Sequence, residues 1–262
     1  MKRSLQRYGP DRAQVAEVWR PDEVDHPVPV VALFHGGFWR QLYTKRLMHP
    51  LAEAVVARGW IAYNIEYRRV GAFGRGGWPA TFEDVSGALD ALADVEGSDL
   101  GRVATCGHSA GGHLALWAAS ARRTTQAPAP SHPVRVRTAV SLAGVVDLVA
   151  AARQMVGGKA VHELMGGGPD EVPERYTLGS PPALVPLGVP QLLIHGGADR
   201  SVPAAFSAAY VERARARGDE VSYLALPGSG HMEMIDPQGS AVGEALIHLE
   251  DVFGRKASQR GS

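Results

Sequence analysis

The sequence predicts an α/β domain whose central sheet is mostly parallel and carries helices on both faces. Two observations support this class. Predicted strands alternate with predicted helices along the chain, and most of these strands are apolar throughout. The 262 residues suit one large domain, and no change in composition marks a boundary, so residues 1–262 are predicted to form a single domain.

The first half of the chain is predicted to contain four strands. Residues 14–20 alternate imperfectly between apolar and polar side chains, which indicates an early antiparallel strand. Three further strands are predicted from apolar segments, at residues 28–34, 60–65 and 103–106. Helices are predicted where apolar residues recur at helical spacing, at residues 47–58 and 81–93.

The second half continues the same alternation. Helices are predicted at residues 113–121, 204–217 and 239–253, and strands at residues 134–142, 191–194 and 221–226. Residues 124–133 contain three prolines and are predicted as a surface loop, and the polar tail at 256–262 is predicted to fray. In residues 149–186 the periodicity loosens around a glycine run. This segment is predicted to be a short cap insertion that forms a small lid.

Composition narrows the possible partners. Lysine plus arginine equals aspartate plus glutamate, 27 each, so no net charge would attract nucleic acid or an anionic membrane. The single cysteine, Cys106, cannot form an internal disulfide and is expected to be a small buried apolar residue. Neither a signal peptide nor a membrane span is evident, which predicts a cytoplasmic protein. Nothing in the sequence predicts an oligomeric state.

The most informative stretch is the pentad Gly-His-Ser-Ala-Gly at residues 107–111. It follows a predicted strand and precedes a predicted helix, the setting in which a G-x-S-x-G turn holds its serine in a strained, exposed conformation. We therefore interpret Ser109 as a nucleophile, with an ordinary turn serine as the alternative. A serine hydroxyl needs an imidazole to accept its proton and a carboxylate to orient that imidazole.

Asp199 and His231 can supply the carboxylate and the imidazole. Each follows a predicted strand, and the order Ser109, Asp199, His231 is the order found in α/β-hydrolases. The carboxyl ends of parallel strands lie at one edge of a sheet, where ligands bind in such folds. The alternatives are an aspartate that caps a helix and a histidine in a surface loop.

The developing oxyanion requires backbone donors, and the segment His35-Gly36-Gly37-Phe38 together with the N–H of Ala110 can provide them. His35 itself is expected to support this loop through a hydrogen bond of its ring. Four residues are candidates for substrate binding: Trp39, Phe73, Trp78 and His108. The three aromatic residues could instead pack in the core, and His108 could orient the turn around Ser109.

Several motifs together resemble the α/β-hydrolases of the hormone-sensitive-lipase and kynurenine-formamidase group over nearly the whole chain. They are H-G-G-F-W at 35–39, E-Y-R at 66–68, W-P-A at 78–80, G-H-S-A-G-G-H at 107–113, H-G-G-A-D at 195–199 and G-H at 230–231. The resemblance implies an α/β-hydrolase fold with Ser109 as nucleophile, Asp199 as acid and His231 as base. It also implies that the N–H groups of Gly37, Phe38 and Ala110 form the oxyanion hole.

The resemblance predicts a serine hydrolase that cleaves a small ester or an N-formyl amide through an acyl-enzyme. The H-G-G-x-W motif resembles formamidases, whereas many lipase-like esterases have a third glycine where Phe38 stands. The short insertion argues against a true lipase. Two alternatives stay open, an acyltransferase and a ligand-binding module on the same fold. No metal or cofactor is expected, because the glycine-rich segment 71–79 lacks the features of a phosphate-binding loop.

Overall fold

The computed structural model describes residues 1–120 and 134–254, which contain one eight-stranded sheet. In chain order its strands are β1 (Lys2–Arg7), β2 (Val15–Arg20), β3 (Val28–Phe34), β4 (Ile61–Ile65), β5 (Ser98–His108), β6 (Val136–Leu142), β7 (Gln191–Gly196) and β8 (Val221–Leu226). Their order across the sheet is β1-β2-β4-β3-β5-β6-β7-β8. The β1–β2 and β2–β4 pairs are antiparallel and the remaining pairs are parallel. The prediction of a mostly parallel sheet is confirmed.

Nine helices accompany the sheet in the described part of the chain. They are α1 (His49–Ala57), α2 (Ala80–Asp90), α3 (Ala110–Ser120), α4 (Leu148–Arg153), α5 (Ala160–Met165), α6 (Pro173–Gly179), α7 (Pro181–Leu184), α8 (Ala204–Ala216) and α9 (Ser240–Gly254). Among these described residues, none of the helices has both the length and the apolar character that spanning a membrane requires.

The central strands are buried on both faces, which explains their unbroken apolar sequence. All seven residues of β3 are buried, and alternate residues join different cores because side chains of a strand point to opposite faces. Val30 and Ala32 pack with α2, α3 and α8, whereas Val31 and Leu33 pack with α1 and α9. The predicted placement of helices on both faces is confirmed.

Three predicted boundaries are corrected by the structure. The helix expected at 47–58 is a 3-10 turn at Lys45–Met48 followed by α1, whose first turn contains a proline. The strand expected at 103–106 extends from Ser98 to His108. The helix expected from residue 113 begins at Ala110, because Gly111 in its first turn permits close approach to the end of β3 and Gly112 permits close approach to Ser141 of β6.

One strand has no counterpart among the sequence predictions. β1 is polar and largely exposed, and it is a strand because its backbone pairs with β2 in the register Lys2↔Arg20 to Arg7↔Val15. The loop expected at 124–133 and the tail expected at 256–262 lie outside the described residues, as does the last residue of the helix expected at 113–121.

The segment predicted as a cap insertion folds into the four short helices α4 to α7. It is tied to α3, since the ring nitrogens Nε2 of His113 and Nε1 of Trp117 each lie 2.9 Å from backbone oxygens of Gly179 and Leu178. It also contacts the chain after β3, where Arg40 forms two hydrogen bonds to the carboxylate of Glu163. This segment therefore contacts both α3 and the chain that follows the carboxyl end of β3.

Candidate active site

The turn between β5 and α3 holds Ser109 in a left-handed conformation, with φ of 56°. Such a conformation costs about 1–3 kcal/mol for a residue with a side chain and persists only where its surroundings enforce it. Here the Ser109 N–H donates to the Leu142 carbonyl at 2.8 Å, and the Ser109 carbonyl accepts from the N–H of Gly112 and of His113. The serine is thus fixed by the end of β6 on one side and by the first turn of α3 on the other.

The glycines that flank Ser109 are required by close packing. A Cβ on Gly107 would lie 2.1 Å from the Gly111 carbonyl oxygen, and a Cβ on Gly111 would lie 2.0 Å from the Phe34 carbonyl oxygen. Neither distance is compatible with a side chain. The G-x-S-x-G pattern therefore reflects the contact of α3 with the ends of β5 and β3.

The segment at residues 35–39, which we name the oxyanion loop, runs directly against this turn. Three of its residues have positive φ: Gly37 (108°), Phe38 (53°) and Trp39 (56°). A Cβ on Gly36 would lie 3.0 Å from both the Ser109 Cβ and the His108 carbonyl oxygen. The structure thus brings the predicted donors of Gly37 and Phe38 next to the turn that contains Ser109 and Ala110.

The predicted acid and base are in direct contact. Nδ1 of His231 lies 2.7 Å from Oδ2 of Asp199, and the Asp199 side chain is fully buried. The His231 side chain remains 14% exposed beside an open cavity of about 510 Å³. Since Nδ1 is occupied by the carboxylate, Nε2 is the ring nitrogen left to exchange protons.

Asp199 has further partners that the sequence reasoning did not identify. Its Oδ1 accepts hydrogen bonds from the N–H groups of Ser201 (2.7 Å) and Val202 (2.9 Å), as in an Asx turn before α8. Its Oδ2 lies 3.2 Å from Nε2 of a second buried histidine, His195, whose Nδ1 is 2.8 Å from the Ser207 hydroxyl. The spacing of the H-G-G-A-D motif was the available signal for this contact.

These contacts determine the charge of Asp199. Burial alone would raise its pKa, but hydrogen bonds from His195, His231 and the Val202 N–H outweigh burial and hold the pKa of the carboxyl well below its usual range. The group is therefore a carboxylate at neutral pH, as required of a residue that orients and stabilises an imidazole.

The ring of His35 forms a hydrogen bond within the oxyanion loop, as expected from the sequence. Its Nε2 lies 2.9 Å from a Glu66 carboxylate oxygen and its Nδ1 lies 2.7 Å from the Gly36 carbonyl oxygen. The Tyr67 ring stacks on the His35 ring at 4.3 Å, and the Tyr67 hydroxyl donates to the His35 carbonyl. Burial would raise the pKa of Glu66, but the hydrogen bond and charge of His35, with the charge of Arg69, lower it.

The four substrate-binding candidates occupy different environments. Trp39 is fully buried and packs edge-on against His113 with ring centroids 5.3 Å apart, so its ring belongs to the core. Trp78 is half-buried against Phe82 at 4.9 Å. Phe73 is 84% exposed and lines an arginine-rich cavity of about 630 Å³ at the same edge of the sheet. His108 is buried, with its Nε2 2.9 Å from the His231 carbonyl oxygen.

Cys106 lies in β5, two residues before the turn that begins at His108. The Cys106 thiol is buried and burial raises its pKa to about 12, in agreement with the expected role as an apolar residue. Within residues 1–120 and 134–254, no group of three or more histidine, cysteine, aspartate or glutamate side chains is placed to hold a metal ion.

Comparison with known proteins places these features in a family. Residues 16–213 match the model of the BD-FAE family. The chain is 31% identical over 244 residues to Esterase LipC of Mycobacterium tuberculosis. This alignment covers 86% of this chain and 58% of LipC. It is 27% identical over 141 residues to the kynurenine formamidase of Danio rerio. That alignment covers 54% of this chain and 45% of the formamidase. The chain thus spans about half the length of these curated relatives.

Solved structures show the same fold. A truncated form of a carbohydrate esterase from gut microbiota superposes with a TM-score of 0.80 at 20% identity, over 96% of this chain and 97% of that chain. Esterase B from Lactobacillus rhamnosis gives a TM-score of 0.79 at 18% identity, over 96% of this chain and 85% of that chain. The chain has the α/β-hydrolase fold, as the sequence predicts.

Proposed function

Since this chain belongs to the BD-FAE family, we propose that it is a serine hydrolase that cleaves a small ester through an acyl-enzyme, with Ser109, Asp199 and His231 as its triad. The observation that carries the proposal is the 2.7 Å contact between a buried carboxylate and His231, at the sheet edge where Ser109 occupies a left-handed turn. A turn serine or a helix-capping aspartate would need neither partner.

The reaction follows from the roles of these groups. The Ser109 hydroxyl attacks the carbonyl carbon of the ester while Nε2 of His231 accepts its proton, and the carbonyl electrons move to the oxygen. The tetrahedral intermediate collapses, and the leaving alkoxide takes the proton from His231 and departs as an alcohol. Water then repeats the sequence on the acyl-enzyme, which releases the acid and regenerates the Ser109 hydroxyl. Asp199 stabilises the imidazolium that forms in both halves.

The oxyanion would be held by the N–H groups of Gly37, Phe38 and Ala110. The positive φ values of the oxyanion loop support this assignment, because residues in that conformation turn their N–H groups away from the strand ladder they follow. Loss of one such donor typically costs about 3 kcal/mol of transition-state stabilisation.

Residues 149–186 would form one wall of the substrate site. The Phe38 ring packs against Gly157, where an added Cβ would lie 2.4 Å from it, and Arg40 binds Glu163 through two hydrogen bonds. The Trp78 N–H donates to the Leu164 carbonyl. Because these contacts connect the insertion to the oxyanion loop, the insertion would act on substrate choice as a cap over the site.

A formamide is the second candidate substrate class. Its support is the similarity to the Danio rerio kynurenine formamidase together with the H-G-G-F-W sequence of the oxyanion loop. An N-formyl amide would pass through the same acyl-enzyme, with a formyl group on Ser109 and an amine as the leaving group. Ester hydrolysis is placed first because the longer match is to an esterase.

The nucleophile is tested with Ser109→Ala and the matched control Ser222→Ala, which changes an exposed serine on β8. The wild type and the control should hydrolyse a short nitrophenyl ester and be labelled by a fluorophosphonate, and Ser109→Ala should do neither. Full activity in Ser109→Ala would refute the mechanism. Absence of both labelling and turnover in the wild type would favour a binding module, and turnover that requires an added alcohol would favour an acyltransferase.

The substrate class is tested by comparing N-formylkynurenine with short acyl and feruloyl esters at equal enzyme concentration. Faster turnover of the esters supports the proposed order. If the formamide is the faster substrate, the order is reversed, and if it reacts no faster than in buffer, the formamidase candidate is dropped.

A further inference from the structure

His108, the residue before Ser109, takes no part in the chemistry described above, yet its ring contacts two loops that the chemistry needs. It is the last residue of β5 and is 1% exposed. Its Nε2 lies 2.9 Å from the backbone oxygen of His231, and the two imidazole rings are 4.5 Å apart at an angle of 49°. Its Nδ1 lies 3.0 Å from the position that a Cβ on Gly36 would take.

The hydrogen bond to His231 defines the tautomer of His108. A carbonyl oxygen only accepts hydrogen bonds, so the proton is on Nε2. Nδ1 is buried and has no hydrogen-bond partner among the described residues, so a second proton there would have no acceptor. Burial, followed by the charge of His231, lowers the pKa of His108 to about 3, against smaller opposing effects of the hydrogen bond to the His231 backbone and of the Asp199 charge. The His108 ring is therefore neutral at neutral pH.

The segment that carries His231 is bound on both sides of the ring. It contains Gly228, with φ of 85°, and Gly230, so its backbone has few steric restrictions of its own. Hydrogen bonds hold the two residues before His231: the Ser229 carbonyl accepts from the Ala198 N–H at 2.9 Å, and the Gly230 N–H donates to the Glu233 carboxylate. At His231 itself, Asp199 contacts the ring through Nδ1. The bond from His108 fixes the carbonyl group of the same residue, and the two contacts together define the direction of the ring.

We propose that His108 is a positioning residue that connects three loops of the site: its Nε2–H holds the backbone of His231, and its ring packs against Gly36 in the oxyanion loop. Because His108 is covalently joined to Ser109, any movement of the nucleophile turn is shared with the base and with the oxyanion donors. The proposal rests on the hydrolase function proposed above.

Two variants separate the hydrogen bond from the space that the ring fills. His108→Gln places an amide N–H three bonds from Cβ, the same reach as Nε2, and can donate to the His231 carbonyl. His108→Met has the same reach and no donor. Displacement of a catalytic group by about 1 Å can cost roughly 100-fold in rate. We expect His108→Met to lower kcat about 10- to 100-fold with little change in KM, and His108→Gln to recover most of that loss.

The measurements are kcat and KM on a short nitrophenyl ester, with thermal unfolding to confirm that each variant is folded. Wild-type kcat in His108→Met overturns the proposal, and so does a His108→Gln variant that is as slow as His108→Met. If His108→Met does not fold, His108→Asn replaces it, because its amide N–H is one bond too short to reach the carbonyl. Activity that survives Ser109→Ala would instead refute the proposed function, and that outcome does not depend on any His108 variant.

Discussion

The contact between α3 and β3 can be tested with one methyl group at Gly111. A Cβ there would lie 2.0 Å from the Phe34 carbonyl oxygen and 2.7 Å from the His35 carbonyl oxygen. Both neighbours are backbone atoms of the strand end and the oxyanion loop, so neither can turn aside as a side chain would. Accommodation of Gly111→Ala requires α3 and β3 to separate by about 1 Å.

The magnitude follows from comparison with a matched control. Gly243→Ala makes the same change in α9, where a Cβ would meet nothing within 4 Å. In a helix, alanine is favoured over glycine by about 1 kcal/mol, so the control should be slightly more stable than the wild type. At Gly111 the overlap should reverse this gain, because forced overpacking typically costs about 1–3 kcal/mol. Relative to the control, that is a fall in Tm of roughly 2–12 °C for a protein of this size.

Activity should respond more strongly than stability. The separation moves Ser109 relative to the oxyanion loop, and a displacement of about 1 Å can cost roughly 100-fold in kcat/KM. Thermal unfolding followed by circular dichroism gives the Tm, and hydrolysis of a short nitrophenyl ester gives kcat/KM. If Gly111→Ala matches Gly243→Ala in both quantities, the close approach of α3 to β3 does not constrain the site.

Three further predictions use single residues. Asp199→Asn should reduce kcat by about 10⁴ with little change in KM, because the amide stabilises the wrong tautomer of His231, and a loss below about tenfold would contradict the triad. Glu66 has a native pKa below its unfolded value near 4.5, so its contribution to stability is complete above that pH and is lost as the pH falls below it. The urea midpoint of the wild type should therefore fall from pH 6 to pH 4 by more than that of Glu66→Gln, and equal changes would contradict the assignment. Cys106 should resist iodoacetamide in the folded protein and react fully after denaturation, since burial raises its pKa to about 12, and rapid labelling of the native protein would show that the site is open.

The elements that could be predicted from sequence are those whose burial determines the pattern of apolar and polar residues in the element itself. β3 is buried on both faces, so its sequence is apolar throughout, and buried β7 has the apolar centre Leu192-Leu193-Ile194. β1 could not be predicted because its polar residues carry no pattern, and its conformation comes from backbone pairing with β2. The start of α3 was misjudged because glycine disfavours helices in isolation, whereas close contact with β3 requires glycine at Gly111.

The same distinction applies to the site. The positions of Ser109, Asp199 and His231 could be predicted at one edge of the sheet, because parallel strands place the residues that follow them together. The contact of His108 with His231 could not, since it joins segments far apart in the sequence. The spacing of His195 and Asp199 permits their contact, but the contact itself depends on the direction of the His195 ring. Side-chain exposure was equally inaccessible: Trp39 is in the core and Phe73 is on the surface.

Two strained residues, Ser109 and Ala143, lie directly after neighbouring strands, and the next strand binds the N–H group of each. Ser109 follows β5 and its N–H donates to Leu142, the last residue of β6. Ala143 follows β6 with φ of 48°, and its N–H donates to Ile194 in β7 at 2.8 Å. The sheet ladder thus continues one residue beyond each strand end, and these bonds offset a conformational cost of about 1–3 kcal/mol per residue.

This arrangement divides the site into two parts that should tolerate substitution differently. The proposed nucleophile, Ser109, is held by backbone hydrogen bonds, which do not depend on the side chains of β6 and β7, so conservative changes along those strands should leave it in place. The proposed base, His231, is held through side chains, Asp199 at its ring and His108 at its carbonyl. Among conservative side-chain substitutions away from the glycines that pack around Ser109, those that lower activity without unfolding the protein should therefore act mainly through the position of His231.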